Sequence, residues 1–259
     1  MRIQLLGTGT STGVPVIGCT CPVCTSDNPR DRRLRTACYV EVDGVHLLID
    51  VGPDFRTQAL RYPIPAVDGV LITHHHFDHV VGLDDLRPFL FRTRTAIPCY
   101  AMANSAHVLR TMFSYIFRDG SYPGVPRLTM HDVAGPFQVA SRMNPAQSVL
   151  VTPIPAVHGS LDVLGYRVGK FAYLTDVSDI PFASKGLLDD LDVLVLDALR
   201  DEPHPMHMTI DRAIEVAGGI GARQTVFTHM AHNVLHDDFE RRVPAGMHPG
   251  HDGMILESR

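Results

Sequence analysis

The sequence contains no apolar run of the roughly 18 residues that a bilayer crossing requires, so a membrane-spanning role is not expected. Nor is there room for a secretory h-region, because Met1-Arg2-Ile3-Gln4-Leu5-Leu6 meets Gly7 too early. That opening reads as a first strand. Excess positive charge is missing too. The net charge is −5, so no overall basic footprint for nucleic acid exists, and a nucleic-acid partner is not expected. An even set of spaced cysteines is also missing. There are five cysteines, and three of them, Cys19, Cys21 and Cys24, crowd together. A cytoplasmic protein with a metal site fits that pattern better than a disulfide framework. Internal repeats, low-complexity blocks and long linkers are absent. What stands out is histidine, at 15 of 259 residues, the commonest protein metal ligand and a general acid or base.

Short β-like runs alternate with turns and a few helical stretches. Arg2–Leu6 is a strand. Residues 37–42 and 45–49 form a hairpin around Asp43-Gly44, and Asp162–Val168 and Phe171–Leu174 form another around Gly169-Lys170. Further strands are expected at Gly69–Thr73, Val149–Ile154, Val193–Asp197, Gln224–Thr228 and Met254–Leu256. Helices are expected at Asn104–Phe117 and at Thr209–Ala217, the second with Thr209 as N-cap. Hairpins with interspersed helices point to mixed sheets covered by helices. The glycine-rich segment Gly7-Thr8-Gly9-Thr10-Ser11-Thr12-Gly13 has neither the dinucleotide spacing nor a P-loop ending, and reads as a tight turn after the first strand.

The strongest local signal is Thr73-His74-His75-His76-Phe77-Asp78-His79, directly after the apolar Val70-Leu71-Ile72. In extended chain, residues two apart share a face. His74 and His76 therefore point together and His75 points elsewhere, while Asp78 and His79 approach from past the turn. Two imidazoles on one flank, with a carboxylate and an imidazole on the other, suit a pair of adjacent divalent ions.

An H-x-H-x-D-H motif at the end of a hydrophobic strand resembles the hallmark of the metallo-β-lactamase superfamily. The resemblance calls for a further histidine, an aspartate and a last histidine, each at a strand end. Val157-His158-Gly159, Leu174-Thr175-Asp176 and Phe227-Thr228-His229 supply them in order. It implies an α/β (α+β) fold, an αββα sandwich of two mixed β-sheets flanked by helices, over a single domain of residues 1–259. It also implies that His74, His76 and His158 bind one metal, that Asp78, His79 and His229 bind a second, and that Asp176 bridges both. Asp50, ending Leu47-Leu48-Ile49, resembles the family's buried aspartate, which fixes the tautomer of a ligating imidazole.

Cys19-x-Cys21-x-x-Cys24 offers three thiolates, one short of the four ligands of a structural zinc. His232 lies three residues after His229 in Thr228-His229-Met230-Ala231-His232. The combination resembles the PhnP-type phosphodiesterases of phosphonate utilisation, and implies that Cys19, Cys21, Cys24 and His232 hold a structural zinc in a small loop at about residues 19–24. Cys38 and Cys99 read as buried apolar residues. The same resemblance places an active-site histidine in Pro205-Met206-His207-Met208-Thr209. His207 aligns best, with His204 as the rival, and it would act as general acid or hold a phosphoryl oxygen.

Two catalytic divalent ions, zinc or manganese, would share a hydroxide that is nucleophilic at neutral pH. With Asp78, Asp176 and the hydroxide counted against the two ions, the shell stays at about +1 and favours a small anionic phosphodiester. Asp78 and His207 are the expected catalytic residues. The resemblance implies cyclic ribose phosphates or 2′,3′-cyclic nucleotides as substrates and leaves a homodimer open. Same-fold alternatives act on a thioester, a lactone or tRNA precursor ends, although the last would call for a long basic arm that the sequence does not show. Arg30–Arg35 is short and reads as a solvated turn, and Arg56 and Arg87 read as surface arginines paired with nearby acids. A non-enzymatic zinc protein would need only four ligands, and a di-iron redox protein would need a flavin domain for which the chain has no room.

Overall fold

Alternation of apolar residues sends successive side chains of each strand into different cores, and this builds a four-layer molecule. The computed structural model describes residues 1–118 and 124–259. Its first sheet holds β1 (Arg2–Gly7), β2 (Ala37–Val42), β3 (Val45–Ile49), β4 (Gly69–Leu71), β5 (Ile97–Ala101) and β6 (Leu128–Asp132). The second holds β7 (Phe137–Ala140), β8 (Ser148–His158), β9 (Leu161–Val168), β10 (Phe171–Leu174), β11 (Val193–Asp197), β12 (Gln224–Thr228) and β13 (Met247–Pro249). The last strand, β14 (Ile255–Glu257), returns to pair with β1, so the first sheet is ordered β14-β1-β2-β3-β4-β5-β6 and the second β13-β12-β11-β10-β9-β8-β7.

The two sheets share one pairing pattern. β14 to β3 and β7 to β10 pair antiparallel, and the strands beyond β3 and beyond β10 pair parallel. Between the sheets, Ile3, Leu5, Leu47 and Ile49 meet Val151, Tyr166, Val193 and Val226. Leu48, one residue out of phase, packs outward against Leu86 and Leu109. On the outer face of the second sheet, Leu194, Leu196 and Phe227 cover Ile210, Ala213 and Ala217 of the helix Ile210–Ile220. Thr209 caps that helix by accepting from the Arg212 amide at 3.2 Å. Burying a side chain such as Leu47 stabilises the fold by about 1.5–3 kcal/mol, and Leu47→Ala would cost about 2–5 kcal/mol once the cavity is counted.

The sandwich of two mixed sheets flanked by helices is the architecture expected from sequence, with local departures. The helix expected over Asn104–Phe117 is two pieces, Ala103–Met112 and Ser114–Phe117. Phe113 leaves helical geometry (φ −110°, ψ 38°) between them, and Phe113 and Ile116 both bury against the first sheet. The strand expected at Val149–Ile154 continues to His158 through Pro153 and Pro155. Both prolines lie beyond the reach of β7, which pairs only with 148–151, so neither interrupts a ladder on that side. Helix Phe55–Arg61 and strands β5, β6, β7 and β13 were not expected.

Arg30–Arg35 is not a solvated turn throughout. Arg33 is 1 % exposed and donates to the carbonyls of Ala231 and Val234 at 3.3 and 2.8 Å. It clamps the loop that carries His232, with Asp31 at 3.3 Å as its counter-charge. Arg35 pairs with Asp54 at 3.0 Å. Arg87 pairs with Asp84 at 2.8 Å, as read from sequence, and Arg56 is exposed.

The glycine-rich segment is the turn that the sequence suggested. Gly9 bridges Arg35 on one side and Met230 on the other, and a β-carbon there would sit 2.8 Å from the Arg33 carbonyl. Glycine is required by the close approach of backbone and not by a phosphate.

Candidate metal centre

The parallel strands of both sheets deliver their last residues to one place. Asp50 and His229 directly follow β3 and β12, and Asp176 lies two residues past β10; all three stand in left-handed backbone, with φ of 63°, 61° and 55° in that order. Non-glycine residues enter that region at a cost and stay there only where the surroundings hold them. The first motif is packed from beneath. Val51 donates to the His79 carbonyl at 2.7 Å, and a β-carbon on Gly52 would lie 2.0 Å from the Asp78 carbonyl oxygen.

His74, His76 and His158 converge as one cluster that could hold a cation, and Asp78, His79, Asp176 and His229 as another. Asp176 lies between them. One of its oxygens is 3.2 Å from His79 Nε2, and the other is 3.3 Å from His229 Nε2, 3.9 Å from His158 Nε2 and 4.0 Å from His74 Nε2. His79 Nε2 also lies 3.2 Å from Asp78. Ligands on bonds of 2.0–2.1 Å in tetrahedral array are separated by about 3.3 Å, the scale of these contacts. His75 turns away to bond Ser105 Oγ at 3.0 Å, as the alternation required.

The far ring nitrogens are held from outside the cluster. His79 Nδ1 faces Asp50 at 2.7 Å, and Asp50 also accepts from the amide and hydroxyl of Thr73 at 2.9 and 2.8 Å. His158 Nδ1 donates to the Met206 carbonyl at 2.6 Å. In both rings this leaves the Nε2 lone pair facing inward. Among the described residues, Nε2 of His74, His79 and His229 are buried without a hydrogen-bond partner. Such atoms are costly unless something fills the space between them, so the donor set fits a pair of divalent ions.

Charge supports the fit. Among the described residues, every ion pair of Asp50, Asp78, Asp176 and Asp197 is to a histidine. Burial pushes His74 and His158 toward the neutral, lone-pair form. Burial also opposes charge on His79 and His229, but Asp176 and the other carboxylates outweigh it and raise both. Asp176 is held well below the usual carboxylate range, because His229 and His79 outweigh its burial. The cluster thus demands positive charge, and divalent ions would supply it while leaving the imidazoles neutral.

His207 belongs to this centre. Its Nε2 lies 4.0 Å from Asp176, and its ring stacks on His229 at 4.7 Å. His204 sits behind it, 5.1 Å from the His207 ring, and accepts from the Met206 amide at 3.2 Å. The residue missed in the sequence is Asp197. It is fully buried, 3.3 Å from His207 Nδ1 and 3.5 Å from His229 Nδ1. The acid ending an apolar strand was the available signal, and it parallels Asp50 in the other sheet.

The second grouping is also assembled. Cys19, Cys21 and Cys24 place Sγ atoms 3.4, 3.5 and 3.7 Å from His232 Nδ1, which suits four ligands on one tetrahedral zinc. The Cys24 amide and His232 lower the Cys21 thiol to about 6 against the pull of burial, whereas burial raises Cys24 to about 11. Cys38 and Cys99 are fully buried, as expected.

Known proteins agree with this geometry. The model of the beta-lactamase superfamily domain matches residues 46–230. An octanoyltransferase of Porphyromonas gingivalis is 42% identical over 259 residues, covering 98% of this chain and 51% of that protein. The chain therefore spans about half the length of that curated relative. A crystal structure of a diphosphatase from the PhnP family superposes with a TM-score of 0.91 at 42% identity, covering 100% of this chain and 98% of that one. Zinc-bound PqqB from Methylobacterium extorquens superposes over the full length of both chains with a TM-score of 0.77 at 20% identity. No helix is long and apolar enough to cross a membrane among the described residues. The converging histidines and aspartates, the paired mixed sheets and the family match together make this chain a member of the metallo-β-lactamase superfamily of metal-dependent hydrolases.

Proposed function

We propose that the chain hydrolyses small phosphodiesters with two divalent ions, zinc or manganese, one held by His74, His76 and His158 and the other by Asp78, His79 and His229, with Asp176 shared. When bound, the ions supply Lewis acidity and a nucleophile that is potent at neutral pH. The observation that carries the reading is the Asp197–His207 pair beside Asp176. Asp197 holds His207 Nδ1, so that Nε2 points at the centre and can give a proton to a departing alkoxide. That service is needed for a poor oxygen leaving group. Asp50 orients His79, and the Met206 carbonyl orients His158.

Cys19, Cys21, Cys24 and His232 hold a structural zinc in this reading, outside the chemistry. The substrate is small and anionic, without a nucleic-acid or membrane partner. A cyclic ribose phosphate is the preferred form, and a place in phosphonate breakdown and in the cytoplasm goes with it. The acyl-transfer name of the P. gingivalis relative belongs to a protein of which this chain covers 51%, and supports no acyl transfer here. A second reading, cleavage of a diphosphate bridge, is favoured by the full-length likeness to a diphosphatase of the PhnP family. It uses the same proton donor and the same anionic recognition.

The deciding experiment is parallel turnover of bis(p-nitrophenyl) phosphate, a diphosphate-bridged dinucleotide, a thioester and a lactone by metal-loaded protein. Diesterase activity lost to chelation and restored by zinc or manganese is expected. Activity confined to the dinucleotide selects the second reading, and activity confined to the thioester or lactone overturns both.

A further inference from the structure

Beneath the centre lies a buried polar arrangement that the reading above does not use. Thr36 Oγ1 is 2.9 Å from the Tyr173 hydroxyl and 3.0 Å from the Thr228 hydroxyl. All three residues are 1 % exposed or less. Thr36 leads into β2 of the first sheet, whereas Tyr173 and Thr228 lie on β10 and β12 of the second. A threonine hydroxyl can donate to one neighbour and accept from the other, so one side chain of the first sheet ties down two strand ends of the second. Those ends carry the site. Tyr173 comes three residues before Asp176, and Thr228 directly precedes His229.

The two metal positions differ in how they depend on this tie. The His79 ring is fixed by Asp50 at 2.7 Å and the His158 ring by the Met206 carbonyl at 2.6 Å. His229 has no such hydrogen bond. Its Nδ1 faces Asp197 at 3.5 Å and has no hydrogen-bond partner among the described residues. The direction of its lone pair therefore follows its backbone, which stands in left-handed conformation at φ 61° and needs outside support. A shift at Thr228 passes directly to His229 Nε2.

We propose that Thr36, through its bonds to Tyr173 and Thr228, is a positioning residue that sets His229 against the first sheet, and so governs occupancy of the Asp78–His79–His229 position more strongly than that of the His74–His76–His158 position, to which the shared Asp176 is its only link. The proposal rests on the two-ion reading. The test is titration of apo-protein with cobalt(II), comparing the parent with Thr36→Val, Tyr173→Phe and Thr36→Ser. A sulfur charge-transfer band marks cobalt at the thiolate site, and control titrations of His76→Ala and Asp78→Ala, each with one histidine–carboxylate position impaired, assign the remaining d–d absorption to the two positions. The parent is expected to fill both positions. Thr36→Val and Tyr173→Phe should fill the first with a much smaller loss than the second, which should fill at least about tenfold more weakly, the scale on which supporting partners act. Thr36→Ser should restore it. Tyr173→Phe removes a single oxygen and serves if Thr36→Val does not fold. Both positions at parental affinity in the variants, or both weakened alike, overturns the positioning role and leaves the two-ion reading standing. A parent that takes one ion overturns both.

Discussion

His79 points its Nδ1 at the carboxylate of Asp50 across 2.7 Å, and neither side chain reaches solvent. Asp50 already accepts from the Thr73 amide through its other oxygen at 2.9 Å. An asparagine there would keep its oxygen on that amide and turn its NH2 toward His79. The imidazole would then have to accept at Nδ1 and carry its proton on Nε2, where the inward lone pair is needed. Asp50→Asn is expected to weaken the His79-containing metal position by about 10–100-fold. Competition against a chromogenic chelator measures it, and parental affinity would show that the tautomer is set by something else.

The two loop histidines separate by position. His207→Ala should lower kcat by about 10²–10⁴-fold, the usual worth of a placed general acid, with metal content unchanged. The loss should be greatest for alkyl leaving groups and small for p-nitrophenolate, which departs without a proton. His204→Ala, one layer further out, should leave kcat within about threefold, well short of a general-acid loss. Equal losses in the two variants would reassign the role.

Cys21→Ser should cost one zinc per chain by elemental analysis. It should also lower Tm by about 2–4 °C for each kcal/mol lost, with less effect on turnover by the fraction that stays folded. Full zinc content in this variant would remove the thiolate site from the account.

His236 gives a pH dependence unconnected with the centre. It is buried, donates its amide hydrogen to Asp31 at 2.7 Å, and leaves Nδ1 without a hydrogen-bond partner among the described residues. Burial, reinforced by Arg30 and Arg33, depresses its imidazole from 6.5 to about 4. Because the folded value lies below the unfolded one, the unfolded chain binds the extra proton between them. This contribution is complete above pH 6.5 and is lost as pH falls toward 4. On acidification across that window the parent should therefore lose thermal stability relative to His236→Gln. A constant difference would mean that the imidazole does not titrate there.

Most of the centre was legible because ligand chemistry is written locally. His74, His76, Asp78 and His79 fall within six residues, and His158, Asp176 and His229 lie within four residues after runs that read as strands, those ending at Ile154, Leu174 and Thr228. Asp197 escaped because an isolated acid has no local pattern; only the meeting of β11 with the His207 loop shows what it faces. Arg33 was misread for the complementary reason. Its neighbours Arg30, Arg32 and Arg35 look like a solvated run, and the carbonyls that it satisfies lie some two hundred residues away in sequence. Strands such as Phe137–Ala140 and Met247–Pro249 are short and weakly patterned, and exist mainly because an edge was available to pair with.

The shared pairing pattern of the two sheets has a thermodynamic consequence. In the proposed arrangement one ion is gripped by His74 and His76 from the first sheet and His158 from the second, and the other by Asp78 and His79 from the first and His229 from the second. Each ion is then a cross-link between halves that otherwise adhere through apolar contact and a few buried hydrogen bonds such as those of Thr36. By mass action, every tenfold rise in free ion above its dissociation constant adds about 1.4 kcal/mol per site to the cohesion of the sandwich. The ion activity of its surroundings would then set how firmly the two halves hold together as well as how fast the centre turns over.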